Sequence, residues 1–412
     1  MKPAAPFLWG AATAAHQVEG GNTQNDIWAL ENLPGGAGGF REPSGDAVDH
    51  YHRYPEDLDL LAGLGLNAYR FSVEWARIEP ERGRVSIAAL DHYARVADAC
   101  LARGLAPVVT LHHFTSPLWL AQAGGWDEAE AADRFAEFAG RVARHLGDRV
   151  AAWQTINEIN LASLGFALAP ERRARRLEKL RIALGARIEA ARFSTFLTHD
   201  GRAPQVLARA HGLATEAVKA CSSAPVGLTL ALPDLQAVPG GEEAMARTRE
   251  ITQDAWLDLA AADDFVGVQT YTRELFGPDG RLPPPDGAET TLTGWEVYPE
   301  ALERSVRHAA ARSGRPILVT ENGIATDHDP LRQDYTRRAL EGLARARADG
   351  VDIRGYIHWS ALDNFEWMHG YGPTFGLIGV DRATQARTVH DSARWLGAYA
   401  VAHPDGPDQG GP

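Results

Sequence analysis

Two apolar runs in this chain end in a carboxylate beside an asparagine: Thr155-Ile156-Asn157-Glu158 and Thr320-Glu321-Asn322-Gly323. A single glutamate in such a place is most often a salt-bridge partner or a helix cap. Two of them, facing each other across a cleft, suit cleavage of a glycosidic bond. One carboxyl protonates the leaving oxygen and the other meets the anomeric carbon. Other run ends fit the same chemistry. Arg70 stands inside Tyr69-Arg70-Phe71, where a charge is costly to bury unless it meets an anion, so it is a candidate to keep a catalytic carboxylate ionised. Tyr271 ends another run and has a hydroxyl to donate to a nucleophilic oxygen. His112-His113-Phe114 ends a third. Trp359 ends the last and leads into Asp363-Asn364-Phe365-Glu366-Trp367, which sets a hydroxyl acceptor beside a flat ring, as a pyranose requires. Core filling is the competing reading for either tryptophan in a chain with 11 of them.

The elements that must position these residues alternate. Eight short apolar runs lie at 7–9, 68–73, 107–112, 151–156, 226–231, 265–271, 317–320 and 354–359. Amphipathic stretches separate them at 55–63, 87–103, 129–146, 206–220, 247–261, 299–313 and 334–348. Near-continuous apolar strands between helices predict a parallel sheet covered on both faces. Eight such units favour an α/β fold, a single (β/α)8 TIM barrel, whose chemistry gathers at the C-terminal strand ends. A doubly wound dinucleotide fold would need Gly-x-Gly-x-x-Gly after its first strand, and Trp9-Gly10-Ala11-Ala12-Thr13 does not supply it. The glycines of 35–39 follow no strand and read as a surface loop rather than a phosphate cradle.

One catalytic barrel is therefore expected over residues 1–402, with a long basic helical connection after the fourth strand at about 161–205 and a Pro/Gly-rich disordered tail over 403–412. Within that connection, 170–192 carries Arg172, Arg173, Arg175, Arg176, Lys179, Arg181, Arg187 and Arg192, with Leu177, Leu180, Leu184 and Ile188 on one helical face. A solvated amphipathic helix is preferred to a lid. The 45% hydrophobic and 23% charged composition is that of an ordinary globular protein. Its 41 basic and 54 acidic residues leave a charge of -13, which disfavours nucleic-acid and anionic membrane partners. Cys100 and Cys221 cannot build a disulfide framework, so a cytoplasmic location is expected. The apolar stretch from 3 to 18 is too short and interrupted to span a membrane. It reads as part of the fold rather than as a secretory leader.

At these motifs the chain resembles glycoside hydrolase family 1, the retaining β-glucosidase and β-galactosidase group, from Phe7 to about Tyr399. The resemblance rests on Phe7-Leu8-Trp9-Gly10-Ala11-Ala12-Thr13-Ala14-Ala15-His16-Gln17-Val18-Glu19-Gly20, on Tyr69 through Ile78, on the two carboxylate motifs and on Trp359 through Trp367. It implies Glu158 as general acid/base and Glu321 as nucleophile, with Arg70 and Tyr271 against the nucleophile. It further implies Asn157 at the sugar's 2-hydroxyl, and Gln17, His113, Trp359, Glu366 and Trp367 around the non-reducing glycosyl unit. Five positions depart from the family's common pattern: His16 for Tyr, Phe114 for Trp, Ile159 for Pro, Gln269 for Asn and Thr374 for Arg. None removes a reacting group, so the departures bear on sugar preference and aglycone fit.

Three other readings fare worse. A metal-dependent barrel would want His-x-His on its first strand, which is absent, and the adjacent His112 and His113 point to opposite faces; no metal site is expected. A sugar-binding protein without catalysis would lack one carboxylate, and both are present. A 6-phosphoglycosidase needs a basic cradle where Glu366 would repel phosphate. The expected activity is retaining hydrolysis of unphosphorylated β-glycosides or oligosaccharides from the non-reducing end, β-glucosides foremost, by double displacement through a covalent glycosyl-enzyme. No cofactor is implied, because the carboxylates perform both steps, and a homo-oligomer remains open.

Overall fold

The structure, a computed structural model, describes residues 6–36, 38–164 and 201–408. Eight parallel strands close into a barrel: β1 (Leu8–Ala12), β2 (Ala68–Ser72), β3 (Ala106–His112), β4 (Ala152–Ile156), β5 (Val226–Ala231), β6 (Phe265–Gln269), β7 (Ile317–Asn322) and β8 (Ile353–Trp359). Each pairs with its neighbours in sequence, and β8 closes on β1. Among the helices outside them are His50–Gly63, Ile87–Leu101, Glu130–Leu146, Ala203–Lys219, Ala301–Ser313, Asp329–Ala348 and Asp391–Ala402.

Strand alternation sorts the side chains into two shells. Outward residues such as Tyr69, Phe71, Val109, Trp153, Val266 and Tyr356 pack with the helices in the main core. Inward residues Val108, Ala152, Phe265, Leu318 and Ile357 fill the barrel's interior as a separate apolar cluster. Toward the C-terminal mouth the interior turns polar, with Arg70, Thr110, Gln154, Thr229 and Thr320 all buried. Gly267 fits this layer because a Cβ there would lie 2.5 Å from Thr229 Cγ2. Local signals set the helix limits: Ser86 accepts a hydrogen bond from the Ala89 N–H at 3.2 Å, and Gly314 ends Ala301–Ser313 in the left-handed conformation.

All eight expected strands are present. β1 runs on through Gly10-Ala11-Ala12, whose small side chains gave little hydropathy signal but whose backbone pairs on both sides. β7 continues past Thr320 to Asn322, so Glu321 lies within the strand. The 247–261 stretch is three pieces, Glu242–Arg249, a π-helical turn Glu250–Asp254 and Ala255–Ala260. The terminal helix Asp391–Ala402, a small sheet of Asp234–Ala237, Arg273–Gly277 and Gly280–Arg281, and the hairpin Ile378–Val380 with Arg387–Val389 have no counterpart in the sequence reading.

The expected disorder from His403 onward needs correction as far as residue 408. The His403 carbonyl accepts from Trp9 Nε1 at 2.8 Å, and Arg347 donates to the Asp405 and Pro407 carbonyls at 2.5 and 2.7 Å. These bonds tie the segment to the barrel's base. The basic stretch 170–192 lies outside the described residues. No helix among the described residues is long and apolar enough to cross a membrane.

Candidate active site

Arg70 organises the mouth of the barrel. Its side chain is fully buried, and it donates to three acceptors at 2.5 Å each: Gln154 Oε1, Glu321 Oε1 and Asn157 Oδ1. A buried guanidinium must be matched in charge and in hydrogen bonds, and here one carboxylate and two amides do both. Thr110 also donates to Gln154 Oε1, at 2.9 Å. Tyr271 donates its hydroxyl to the other Glu321 oxygen at 2.5 Å, so each carboxylate oxygen has one donor.

A bulge aims Glu321. Val319 pairs with Val268 and Glu321 with Gln269, which leaves Thr320 as an extra residue with no partner on β6. Thr320 packs beside Gly267 in the inner layer, and strict alternation would then turn Glu321 outward. The extra residue resets the phase and brings both side chains inside. Gly323 follows, and a Cβ there would fall 1.9 Å from the Trp359 carbonyl oxygen.

Glu158 stands just past β4 in the left-handed conformation, φ 45° and ψ 44°. Its N–H donates to Thr229 Oγ1 at 3.3 Å, and its carbonyl accepts from Leu161 N at 2.9 Å. Glu158 and Glu321 line one cavity of about 410 Å³. Burial, then the charge of Glu321, push the Glu158 carboxyl well above the usual range. Burial also raises the Glu321 carboxyl, but the charge of Arg70 and the bonds from Tyr271 and Arg70 pull it back. The proton shared by such a pair belongs on Glu158. Burial, then the charges of Glu321 and Glu158, hold the Tyr271 hydroxyl protonated as a donor.

The other predicted residues line the same cavity or brace it. Asn157 accepts from Arg70 and, at 2.8 Å, from Gln269 Nε2, which fixes its amide. Its Nδ2 therefore donates to His113 Nε2, at 3.3 Å. Burial, then the Arg70 charge, keep His113 neutral, so its Nδ1 carries the proton and is left buried without an acceptor. Gln17 donates at 2.9 Å to both Asn364 Oδ1 and the Phe365 carbonyl, and its Oε1 is likewise left without a partner. Burial lifts Glu366 to about 8, against a 3.3 Å hydrogen bond from Trp359 Nε1. Trp359 stacks on His113 with centroids 5.8 Å apart, and Trp367 stacks on His16 at the same distance. Three non-glycine residues on the cavity wall, Phe114, Glu158 and Trp367, have positive φ, at 68°, 45° and 50°.

Three of the five departures from the family pattern act on this frame. His16 backs the Trp367 ring and bonds to Asn25 Nδ2 at 2.9 Å. Phe114 meets Trp367 edge-on at 5.4 Å, and Gln269 orients Asn157. Sequence reasoning missed Gln154 and Asn364, amides whose roles depend on neighbours distant in the chain. It also missed the outer wall, where Leu161, Leu164, Leu235 and Trp295 line the cavity. Trp295, an aromatic residue among polar loop residues, was the one available signal there.

The Glycosyl hydrolase family 1 profile matches residues 3–183 and 237–404. A bifunctional β-D-glucosidase/β-D-fucosidase of Bifidobacterium breve is 34% identical, over 96% of this chain and 98% of that protein. The crystal structure of β-glycosidase BGL167 is 51% identical, with TM-score 0.91 over 96% of each chain. The apo structure of β-glucosidase 1317 is 42% identical, with TM-score 0.89 over 98% of this chain and 99% of that one.

Proposed function

The chain belongs to glycosyl hydrolase family 1, and from that membership we propose that it hydrolyses unphosphorylated β-glycosides, β-glucosides foremost, using Glu321 as nucleophile and Glu158 as acid and base. It is a retaining glycoside hydrolase, so the reaction runs in two displacements. Glu321 attacks the anomeric carbon, the bond to the aglycone oxygen breaks, and Glu158 gives that oxygen its proton. The sugar is then esterified to Glu321. Water attacks the same carbon, Glu158 takes the water's proton, and Glu321 leaves as a carboxylate. The observation that carries this assignment is the unequal setting of the two carboxyls. Glu321 has a cation and a phenol on its oxygens, whereas Glu158 is raised partly by the charge of Glu321. Esterifying Glu321 removes that charge, so Glu158 becomes more acidic just when it must accept a proton.

Gln17 and His113 offer an acceptor and a donor to one edge of the sugar, Asn157 faces its 2-hydroxyl, and Glu366 with Trp367 takes the far hydroxyls above Trp359. The barrel acts as one catalytic unit. The free thiols Cys100 and Cys221 fit a reducing cytoplasm. Proton NMR during cleavage of an aryl β-glucoside tests the assignment: the β-anomer of glucose appears first, and α-glucose appearing first would overturn it.

A further inference from the structure

The two donors on Glu321 are held in different ways. Arg70 is locked inside the barrel by its bonds to Gln154 and Asn157. Tyr271 lies two residues past the end of β6. The ladder there pairs Gln269 with Glu321, and Thr270 N donates to the Glu321 carbonyl at 3.2 Å. The next two carbonyls, of Thr270 and Tyr271, are taken by side chains instead. Asn322 Nδ2 donates to the Thr270 carbonyl at 2.7 Å, and the Tyr335 hydroxyl donates to the Tyr271 carbonyl at 2.7 Å.

These two side chains form one chain of bonds with Tyr356. Asn322 Nδ2 also donates to the Tyr335 oxygen at 3.2 Å, and Asn322 Oδ1 accepts from the Tyr356 hydroxyl at 3.0 Å. Each proton then has one direction. The Tyr356 bond sets the Asn322 amide so that its donor side meets Thr270 and Tyr335, and the Asn322 bond leaves the single Tyr335 proton for Tyr271. Burial raises the Tyr335 hydroxyl above its ordinary value, which keeps that proton in place. Asn322, Tyr335 and Tyr356 are all buried, and none of them lines the cavity. Tyr335 stands on the helix Asp329–Ala348, outside the strands.

The Tyr271 ring itself is held only by apolar contact on its flanks, with Phe375 edge-on at 5.9 Å and Trp295 tilted at 5.6 Å. The direction of its hydroxyl is therefore set from its backbone. A misplacement of 1 Å at a reacting centre can cost about 10²-fold in rate. We propose that Tyr335, oriented by Asn322, is a positioning residue for the nucleophile: from the helix behind the barrel it fixes the Tyr271 backbone and so keeps the Tyr271 hydroxyl on Glu321. This rests on the assignment of Glu321 as nucleophile.

The test is a double-mutant cycle followed by kcat/KM on p-nitrophenyl β-glucoside across pH. Tyr335→Phe keeps the ring and removes only the hydroxyl. It lowers kcat/KM about tenfold, as a shift well short of 1 Å would. It also moves the acidic limb of the profile to higher pH, because the Tyr271 bond is one of the interactions that pull the Glu321 carboxyl down. Arg70, Glu158 and Glu366 also act on Glu321 and are kept in every variant. Tyr271→Phe moves the limb the same way, and adding Tyr335→Phe to it costs less than twofold with no further movement. A parent-like Tyr335→Phe, an unmoved limb, or the same tenfold loss in the Tyr271→Phe background overturns the proposal; in the last two cases Tyr335 serves the fold alone. Should Tyr335→Phe not fold, Tyr356→Phe, which frees the Asn322 amide, is put through the same cycle. A limb that moves only while Tyr271 is present supports the proposal, and an unmoved limb overturns it. If the parent cleaves no β-glucoside, or Tyr271→Phe leaves its rate and profile unchanged, the underlying assignment has failed and the proposal falls with it.

Discussion

Arg70 Nη1 and Glu321 Oε1 lie 2.5 Å apart on strands separated by β1 and β8, with side-chain exposures of 0% and 5%. The same guanidinium reaches Asn157, so one cation fixes both the candidate nucleophile and the residue proposed to face the sugar's 2-hydroxyl. Arg70→Met should reduce kcat/KM by at least about 10²–10³, the loss typical of one oriented charge-stabilising donor. Arg70 pulls the Glu321 carboxyl down, so its removal lets that carboxyl rise, and the acidic limb of the pH–rate profile should move to higher pH. A profile that falls in height without moving would show that Arg70 only supports the fold.

The two carboxylates should separate by the anomer each variant produces. Glu158→Ala keeps the nucleophile, so dinitrophenyl β-glucoside still forms the glycosyl-enzyme while alkyl glucosides become inert. Added azide should then give the β-glycosyl azide. Glu321→Ala should yield the α-azide from an activated substrate, through attack on the vacated face. General acid/base assistance contributes about 10²–10⁴-fold. The same azide anomer from both variants would refute the division of roles.

Glu366 offers a pH test at the sugar itself. Burial places its carboxyl at about 8, so in the free protein at pH 7 it is mostly protonated, and it gains acceptor capacity as pH rises through that value. Inhibition by glucose should strengthen over that interval in the parent, and Glu366→Gln should lose the dependence. Parallel pH dependence in the two proteins would assign it to another group.

Gly267→Ala should destabilise the layer beneath the carboxylates, because the added methyl meets Thr229 at 2.5 Å and Thr320 at 3.1 Å. Overpacking of this kind costs about 1–3 kcal/mol. Thr229 accepts from the Glu158 N–H and Thr320 forms the bulge before Glu321, so Tm and kcat should fall together. Lower Tm with unchanged kcat would mean the layer adjusts without disturbing the site.

What could be read directly from the sequence was chemistry out of place. Glu158 and Glu321 end apolar runs, and Arg70 is a charge inside one. Gln154 drew no such attention, because an amide in a strand is unremarkable by composition, and Gln269 stood out only as a departure from the family pattern. Their parts come from register, with Gln154 opposite Thr110 and Gln269 opposite Glu321, and register is a relation between distant segments. The bulge at Thr320 was hidden for the same reason. Strands stood out by apolar periodicity, except that β1 continues into small residues. Asp391–Ala402 is short and rich in alanine, and its amphipathicity was too weak to mark it. The outer wall is built from loop residues whose apolarity becomes informative only when the fold gathers them.

The left-handed backbone at Phe114, Glu158 and Trp367 bears on how this protein can change over generations. Each such residue costs about 1–3 kcal/mol, and all three line the cavity that holds the two carboxylates. Glycine or asparagine would relieve that strain at Phe114 or Trp367, but each would remove a packed ring whose loss costs about 3–5 kcal/mol, so heat tolerance gains nothing by the exchange. Lineages that keep both rings must find their hardening elsewhere, in the helices and at the barrel's base, so the rim should be the slowest part of the molecule to adapt to temperature.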